Sequence, residues 1–160
     1  MNNTMERLVS LIYKRCVDAL LIKAKNTKRY IGALSGSGVY VLVTKDKNYQ
    51  ILDGRYIDEA DKKTTGFIKR IVSQGSYIPT IIELLKELNI KKLAIENQAM
   101  SIQEYLSLKN EGFEINLITN ELWKLRAIKS KEEIELIKKA CEITDEVFDE
   151  VISEIKKDMT

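Results

Sequence analysis

The sequence predicts an α/β fold, a mixed sheet of about five to six strands with helices on both faces, followed by a long C-terminal helix. Two β-rich segments at 39–44 and 49–52 flank a short polar turn, which predicts an antiparallel hairpin. Farther along, strand-like segments alternate with amphipathic helical patterns, which predicts strands that run parallel to one another. Between residues 130 and 155 apolar residues recur at spacings of three and four, as on one face of a helix.

The composition is typical of a soluble globular protein of one domain. The 160 residues include 26 Lys and Arg against 24 Asp and Glu, a net charge of +2 with the signs interleaved. This balance gives no electrostatic basis for binding nucleic acid or a membrane surface. No apolar run approaches the roughly 20 residues that span a bilayer, and the N-terminus lacks a signal-peptide pattern. We therefore expect a cytoplasmic protein.

Histidine and cysteine usage restricts the chemistry further. The sequence contains no histidine, which excludes Ser–His, Cys–His and His–metal sites within these 160 residues. Cys16 and Cys141 lie far apart, each within an apolar pattern. We expect both to be buried thiols in a reducing compartment rather than a disulfide.

The first part of the chain is predicted to contain strands and short helices. Asn26 is the expected cap of the second helical segment. The predicted elements are a helix at 5–15, a strand at 18–23, a helical turn at 26–31, strands at 39–44 and 49–52, and a short polar helix at 57–63.

The second part alternates strands with helices. Ser101 with Glu104, and Ser130 with Glu133, have the spacing of capping boxes, and Asn120 is the expected cap of the helix between them. A turn is expected at Gly75. The predicted elements are strands at 67–72, 92–96 and 114–118, helices at 78–88, 102–110 and 130–155, and the helix after Asn120 that carries Trp123 and Leu125.

Two turns hold the candidate functional residues. Residues 35–38 (SGSG) are glycine-rich and could bind a phosphate, but they lead into a strand, so a tight turn before the hairpin is favoured. Residues 53–56 place a carboxylate, a guanidinium and a phenol on one turn. Arg55 could bind a carboxylate or phosphate, or it could pair with Asp53 as a structural contact, which is favoured.

The acidic residues form no evident catalytic site. A two-metal centre needs several carboxylates gathered in one place. Only Asp53 and Glu96 lie at the ends of predicted strands, and the other acidic candidates are scattered: Asp18, Asp46, Asp58 and Asp61.

Residues 30–60 resemble the N-terminal domain of the creatinase, prolidase and Xaa-Pro aminopeptidase family. In that family a Tyr-x-x-Gly-Phe-x-Gly-Ser turn leads to a hairpin ending in Asp-x-Arg-Tyr and then a short helix. Ala33 departs from the pattern, standing where an aromatic is commoner, and Ile31-Gly32 only approximates it. The matching residues are Tyr30, Gly36, Ser37, Asp53, Arg55, Tyr56 and Ala60.

Residues 125–140 resemble the junction into the catalytic domain of that family. The resembling residues are Leu125 to Ser130, Glu132 to Ile134, and Ala140. Both motifs, in this order, extend the resemblance over essentially the whole chain. It implies a creatinase/prolidase-type domain with ribonuclease H-like layering at 1–124, and a linker with the first helix of a further catalytic domain at 125–160.

The resemblance implies the function of the larger protein. It would be a proline-specific metallopeptidase, an Xaa-Pro aminopeptidase or dipeptidase, whose two divalent metal ions (Mn, Co or Zn) lie in the catalytic domain outside this chain. The present domain would be non-catalytic and would assist homodimerisation and partly cover the active site. Tyr30, Gly36, Ser37, Asp53, Arg55 and Tyr56 are the substrate-pocket or interface candidates. Two alternatives stay open: a metal-free pseudo-peptidase module that binds peptides or proteins, and the N-terminal domain of a creatinase-like amidinohydrolase.

The apolar stripe of the last helix makes a separate prediction. Seven or so large apolar side chains, each worth about 1.5–3 kcal/mol on burial, are unfavourable to leave in water. We expect this helix to fold back on the sheet or to mediate dimerisation.

Overall fold

The computed structural model describes residues 3–72 and 76–156, with only the backbone at Asn3 and Thr119. The predicted turn at Gly75 lies outside the described residues. The chain divides into two compact units, Met1–Leu125 and Arg126–Thr160. No helix within the described ranges is long and apolar enough to cross a membrane.

The first unit contains all the strands found in the described residues, and they form one mixed six-stranded sheet. The strands are β1 (Ala19–Ile22), β2 (Val39–Thr44), β3 (Asn48–Leu52), β4 (Ile68–Ile71), β5 (Lys92–Ile95) and β6 (Glu114–Leu117). The helices of the chain are α1 (Asn3–Arg15), α2 (Lys25–Tyr30), α3 (Ile57–Lys63), α4 (Tyr77–Glu87), α5 (Ile102–Asn110), α6 (Thr119–Ala127) and α7 (Lys131–Glu154). A 3₁₀ turn, Gly54–Tyr56, links β3 to α3.

The strand order is β4-β3-β2-β1-β5-β6. β2 pairs antiparallel with β1 and β3, whereas the β1–β5, β5–β6 and β3–β4 pairs are parallel. The predicted hairpin and the predicted parallel strands are therefore confirmed. All strands except β2 run in one direction, so their carboxyl ends meet at one edge of the sheet, together with the amino end of β2.

Buried side chains of successive strand residues point to opposite faces of the sheet, so each face carries its own part of the core. Leu21, Leu42 and Leu93 point to one face, where they pack with residues of α4 and α5. Leu20 and Val41 point to the other, where α1 and α6 cover them. Successive strand residues face opposite sides, so this period of two places helices on both faces, as predicted.

Cys16 and Cys141 are exposed, so the prediction of buried thiols is wrong. Cys16 has a φ of 51°, in the left-handed region, and follows the last turn of α1. Its N–H donates to the carbonyl of Tyr13, and Val17 N–H donates to the carbonyl of Ile12. This is a Schellman end, which buries Val17 in place of the thiol.

Two of the predicted helix caps are also wrong. Asn26 and Asn120 lie inside the first turns of α2 and α6 instead of preceding them. The N-cap position of α2 is Ala24, which has no side-chain oxygen, and its N–H donates to the Glu96 carboxylate at 2.9 Å. The Glu96 carboxylate, which follows β5, also accepts from Thr27 Oγ1 in the first turn of α2, so a distant residue binds the start of this helix.

The second unit contains α7, whose capping box is formed as predicted. Ser130 Oγ accepts from the N–H of Glu133 at 3.2 Å, and Glu133 Oε2 accepts from the N–H of Ser130 at 2.7 Å. None of the residues of α7 is buried. Its apolar stripe, which includes Ile137, Phe148 and Val151, is about half exposed or more.

Candidate functional site

The sheet edge formed by the carboxyl ends of β1, β3, β4, β5 and β6 brings the two predicted turns together. We call it the site edge. Residues 35–38 enter β2 there, and residues 53–56 leave β3 there. β2 and β3 are neighbours and antiparallel, with Val39 paired to Leu52, so two segments well separated in sequence become adjacent.

Asp53 is the hydrogen-bonding centre of its turn. Its Oδ1 accepts from the backbone N–H of Arg55 and from Arg55 Nε, both at 3.0 Å. Its Oδ2 accepts from Arg55 Nη2 at 2.8 Å and from the Tyr77 hydroxyl at 2.5 Å. The structural pairing of Arg55 with Asp53 favoured from the sequence is the one observed.

These bonds set the ionisation of the group. The hydrogen bonds from Arg55 and then Tyr77 hold the pKa of Asp53 well below its usual range. Asp53 in turn raises the pKa of Arg55. Burial, followed by the hydrogen bond to Asp53, raises the pKa of Tyr77 to about 12. At neutral pH Asp53 and Arg55 therefore form an ion pair, and the Tyr77 phenol that binds Asp53 is neutral. The Arg55 side chain nevertheless remains 77% exposed.

Gly36 and Gly38 are glycines because aromatic rings pack against the turn. A Cβ on Gly36 would lie 2.5 Å from Cε1 of Tyr56, closer than carbon atoms approach. A Cβ on Gly38 would meet the Tyr77 hydroxyl and the other side of the Tyr56 ring. Tyr56 also lies under the Arg55 guanidinium, whose carbon is 5.6 Å from the ring centroid. The two turns are therefore packed directly on one another.

The buried Lys28 side chain stabilises the turn at residues 35–38. Its Nζ donates to the carbonyl oxygens of Gly36 at 2.6 Å and Val39 at 2.7 Å. Burial, with a smaller contribution from Lys23, lowers the pKa of Lys28 to about 8, while Glu96 opposes the shift. A buried amine thus holds the turn by two backbone contacts.

Gln50 stabilises the segment that precedes the turn at residues 35–38. It is completely buried, with Oε1 accepting from the N–H of Leu34 at 2.9 Å. Its Nε2 donates to Thr64 Oγ1 at 2.7 Å, at the end of α3. The approach to residues 35–38 is therefore anchored in the sheet.

A second cluster on the site edge surrounds Glu104, at the start of α5. Lys23 Nζ lies 2.8 Å from each carboxylate oxygen, and the Tyr40 hydroxyl donates to Oε1. Burial opposes ionisation of Glu104, but the bonds from Lys23 and Tyr40 outweigh it, and its pKa is lowered. Burial and Glu104 together raise the pKa of Tyr40. The Tyr40 ring lies 5.4 Å from that of Tyr77, centroid to centroid, so the two clusters are in contact.

Tyr30 is the one candidate that the structure does not bring to these turns. Its hydroxyl accepts from Arg7 Nη1 at 2.8 Å and donates to the carbonyl of Leu125 at 3.1 Å. Its ring packs on the core layer beneath α1. Tyr30 therefore joins α1, α2 and α6, while the other five candidates share the site edge.

The residues that the structure describes do not fit a two-metal centre. Glu96 accepts from Ala24 N–H and from Thr27 Oγ1 at 2.6 Å, and Asp53 is occupied as described above. Both strand-end carboxylates are thus used by neighbouring donors. No group of three or more metal-ligating side chains occurs in residues 3–72 and 76–156.

An open cleft of about 690 Å³ lies beside the first turn. Lys25 and Glu59 are at its rim, and its other polar lining comes from Lys23, Lys28 and residues 35–37. Lys28, Tyr77 and Glu104 were not recognised as site residues from the sequence. Glu104 was recognised from the sequence only as part of a capping box, and no local pattern indicates that Lys28 or Tyr77 contacts the two turns.

Comparison with known proteins identifies a family model and several proteins that this chain resembles. The family model described as "Creatinase/Prolidase N-terminal domain" matches residues 5–128. An uncharacterized peptidase, YqhT, of Bacillus subtilis (strain 168) is 30% identical over 154 residues, which are 95% of this chain and 43% of the relative. An Xaa-Pro dipeptidase of Pyrococcus furiosus is 31% identical over 97% of this chain and 43% of its own length.

Solved structures show the same extent of similarity. The X-Pro aminopeptidase from Thermotoga maritima MSB8 superimposes with a TM-score of 0.83 at 28% identity, over 99% of this chain and 45% of that chain. The chain therefore spans somewhat less than half the length of the curated relatives that it matches.

Proposed function

Because the chain belongs to the creatinase/prolidase N-terminal domain family, we propose that it is the assembly and active-site-covering domain of a proline-specific metallopeptidase, either an Xaa-Pro dipeptidase or an Xaa-Pro aminopeptidase. The main support is the extent of the matches: nearly all of this chain aligns with only 43% of relatives described as a peptidase and an Xaa-Pro dipeptidase. The remaining part of such a protein would hold the catalytic centre.

In this proposal the domain of residues 1–124 is non-catalytic, and residues 125–160 are the linker and first helix of the catalytic domain. Two divalent metal ions, Mn, Co or Zn, belong to that further domain and supply an activated water there. The chain offers no histidine, and its strand-end carboxylates are occupied. The full protein acts as a cytoplasmic homodimer.

The covering role is assigned to the two turns of the site edge. Ser37 is exposed at the tip of the first turn, and the exposed Arg55 guanidinium is held by Asp53. Rigid, exposed groups at one edge suit a surface that closes over another domain, because little conformational entropy is lost on contact.

An assay of the 160-residue chain tests where catalysis lies. Incubated with Mn²⁺ and a dipeptide ending in proline, the chain should show no turnover, whereas a longer protein containing it should be active. Turnover by the purified chain alone would contradict the proposal.

A substitution pair in the longer protein tests the covering role. Ser37→Trp adds bulk to the exposed turn without entering the core, so it should raise KM for the Xaa-Pro substrate or lower kcat. Asp46→Trp places the same side chain on an exposed turn at the opposite edge of the sheet and serves as the control. Equal kinetics for the two variants, with folding intact, would argue against a covering role for residues 35–38.

A further inference from the structure

The cleft beside residues 35–37 is lined by several hydrogen-bond donors. Among the described residues, none accepts a hydrogen bond from the backbone N–H groups of Ser35, Gly36 and Ser37. The hydroxyls of Ser35 and Ser37 likewise have no partner there. Residues 35–37 all line the cleft, so three successive amides and two hydroxyls without a partner among the described residues lie beside it.

The charges around the cleft are predominantly positive. Lys25 is exposed at its rim and makes no ion pair within the described parts of the chain. The carboxylate of Glu59 is engaged by Lys63 at 2.8 Å. Lys28 uses two of its three ammonium hydrogens on backbone carbonyls. The free donors are thus accompanied by cationic charge without a matching free carboxylate.

The turn that presents these donors is already fixed in place. Lys28 binds the carbonyls of Gly36 and Val39, and the Tyr56 ring packs against Gly36. The donors would not have to be ordered when a ligand binds, which removes part of the cost of association. Successive backbone N–H groups in a turn are a recognised form of anion site.

We propose that this cleft binds a small oxyanion, the carboxylate or phosphate group of a small molecule, through the N–H groups of residues 35–37 and the Lys25 ammonium. Its volume of about 690 Å³ accommodates a small organic ligand. The site lies wholly within the first unit, so this proposal does not depend on the proposed peptidase function.

Titration of the ¹⁵N-labelled chain with inorganic phosphate and, separately, with acetate tests the site. At least one anion should produce saturable shifts of the amides of Ser35, Gly36 and Ser37 at constant ionic strength, and chloride should not. The anion that saturates identifies the source of the oxyanion as a phosphoryl or a carboxyl group.

Two lysine substitutions complete the test. Lys25→Gln should weaken binding about two- to fivefold, the effect of one exposed ionic contact, while leaving the fold intact. Lys47→Gln removes the same charge from a turn at the opposite sheet edge and should have no effect. The proposal is overturned if neither anion gives saturable shifts at residues 35–37, or if both variants weaken binding equally, which would indicate general charge screening.

Discussion

At the scale of single residues, the shape of the 35–38 turn depends on one aromatic ring and one buried amine. Tyr56 occupies the space that a side chain at Gly36 would need, and Lys28 supplies donors to carbonyls that face the interior. Neither contact is local in sequence, yet together they determine the conformation of the turn.

Gly36→Ala should destabilise the fold by about 1–3 kcal/mol, because the new methyl group overlaps the Tyr56 ring. Urea unfolding measures the change. Gly54→Ala is the matched control, since a Cβ there meets nothing within 4 Å. Combining Gly36→Ala with Tyr56→Ala should cost less than the sum of the single changes, and strict additivity would show that the ring is not the cause.

Lys28 should give the stability of the protein a characteristic dependence on pH. Burial lowers its pKa from 10.5 to about 8, so between these values the unfolded chain binds the proton and the folded chain does not. The free energy of unfolding should therefore rise with pH across this range, relative to a Lys28→Met variant. The rise in the free energy of unfolding is on the order of 3 kcal/mol at most. The hydrogen bonds from Lys28 to two carbonyls favour the charged amine in the folded state and therefore make the rise smaller.

Urea unfolding at a pH below 8 and again near 10 measures this difference. Lys47→Met, at an exposed turn, is the control and should follow the wild type. The lowered pKa of Lys28 would be contradicted if the difference in the free energy of unfolding between wild type and Lys28→Met were the same at both pH values.

At the scale of secondary-structure elements, two capping boxes with the same sequence pattern have different roles. Ser101 with Glu104 and Ser130 with Glu133 make the same reciprocal bonds at the starts of α5 and α7. Glu104 additionally binds Lys23 and Tyr40, which connects α5 to β1 and β2. The capping box of Ser101 and Glu104 therefore also makes a tertiary contact between α5 and the sheet.

Glu104→Gln should cost about 2–3 kcal/mol of stability, because it leaves a half-buried ammonium without its carboxylate. Glu133→Gln, in the matched box, should cost well under half as much. Thermal unfolding of the two variants measures the difference. Similar losses would mean that the contact of Glu104 with Lys23 adds nothing.

The same carboxylate predicts a response to acid. The pKa of Glu104 is lowered in the folded state, so its contribution is complete above the unfolded value of 4.5 and is lost as the pH falls through the folded value. The Glu104→Gln variant should therefore lose less stability than the wild type on acidification below pH 4.5.

At the scale of the whole molecule, the apolar stripe of α7 is the largest set of exposed apolar side chains on one element of the described residues. None of the residues of α7 is buried, and the expectation that the helix folds back on the sheet or mediates dimerisation stays a prediction. The stripe formed by Ile137, Phe148 and Val151, among others, keeps roughly half of its surface or more in water. Association through this stripe is the prediction that sedimentation can test directly.

Sedimentation velocity should show that the 160-residue chain self-associates. Ile137→Glu should shift the population towards monomer, since it puts a charge into the apolar stripe. Lys138→Glu introduces the same side chain on the exposed polar side of α7 and is the control. A purely monomeric wild-type chain would disprove association through α7.

The sequence predicted the architecture well because its signals are local and repeated. β2 and α3 were predicted at their observed bounds, and both capping boxes formed. The α/β class and the family resemblance are likewise confirmed. The errors have two causes. At the start of α2 a distant residue, Glu96, binds Ala24 and Thr27. At the end of α1 the left-handed conformation of Cys16 buries Val17 instead of the thiol.

The sequence by itself determined the strands, the helices, their caps at Ser101 and Ser130, and the two turns at 35–38 and 53–56. Those properties follow from spacing and side-chain type within a few residues. Only the tertiary structure decided that Lys28 is buried, that Tyr77 binds Asp53, and that Tyr30 lies away from the other candidates. Such contacts depend on which strands become neighbours, because strand order brings together groups that are far apart along the chain.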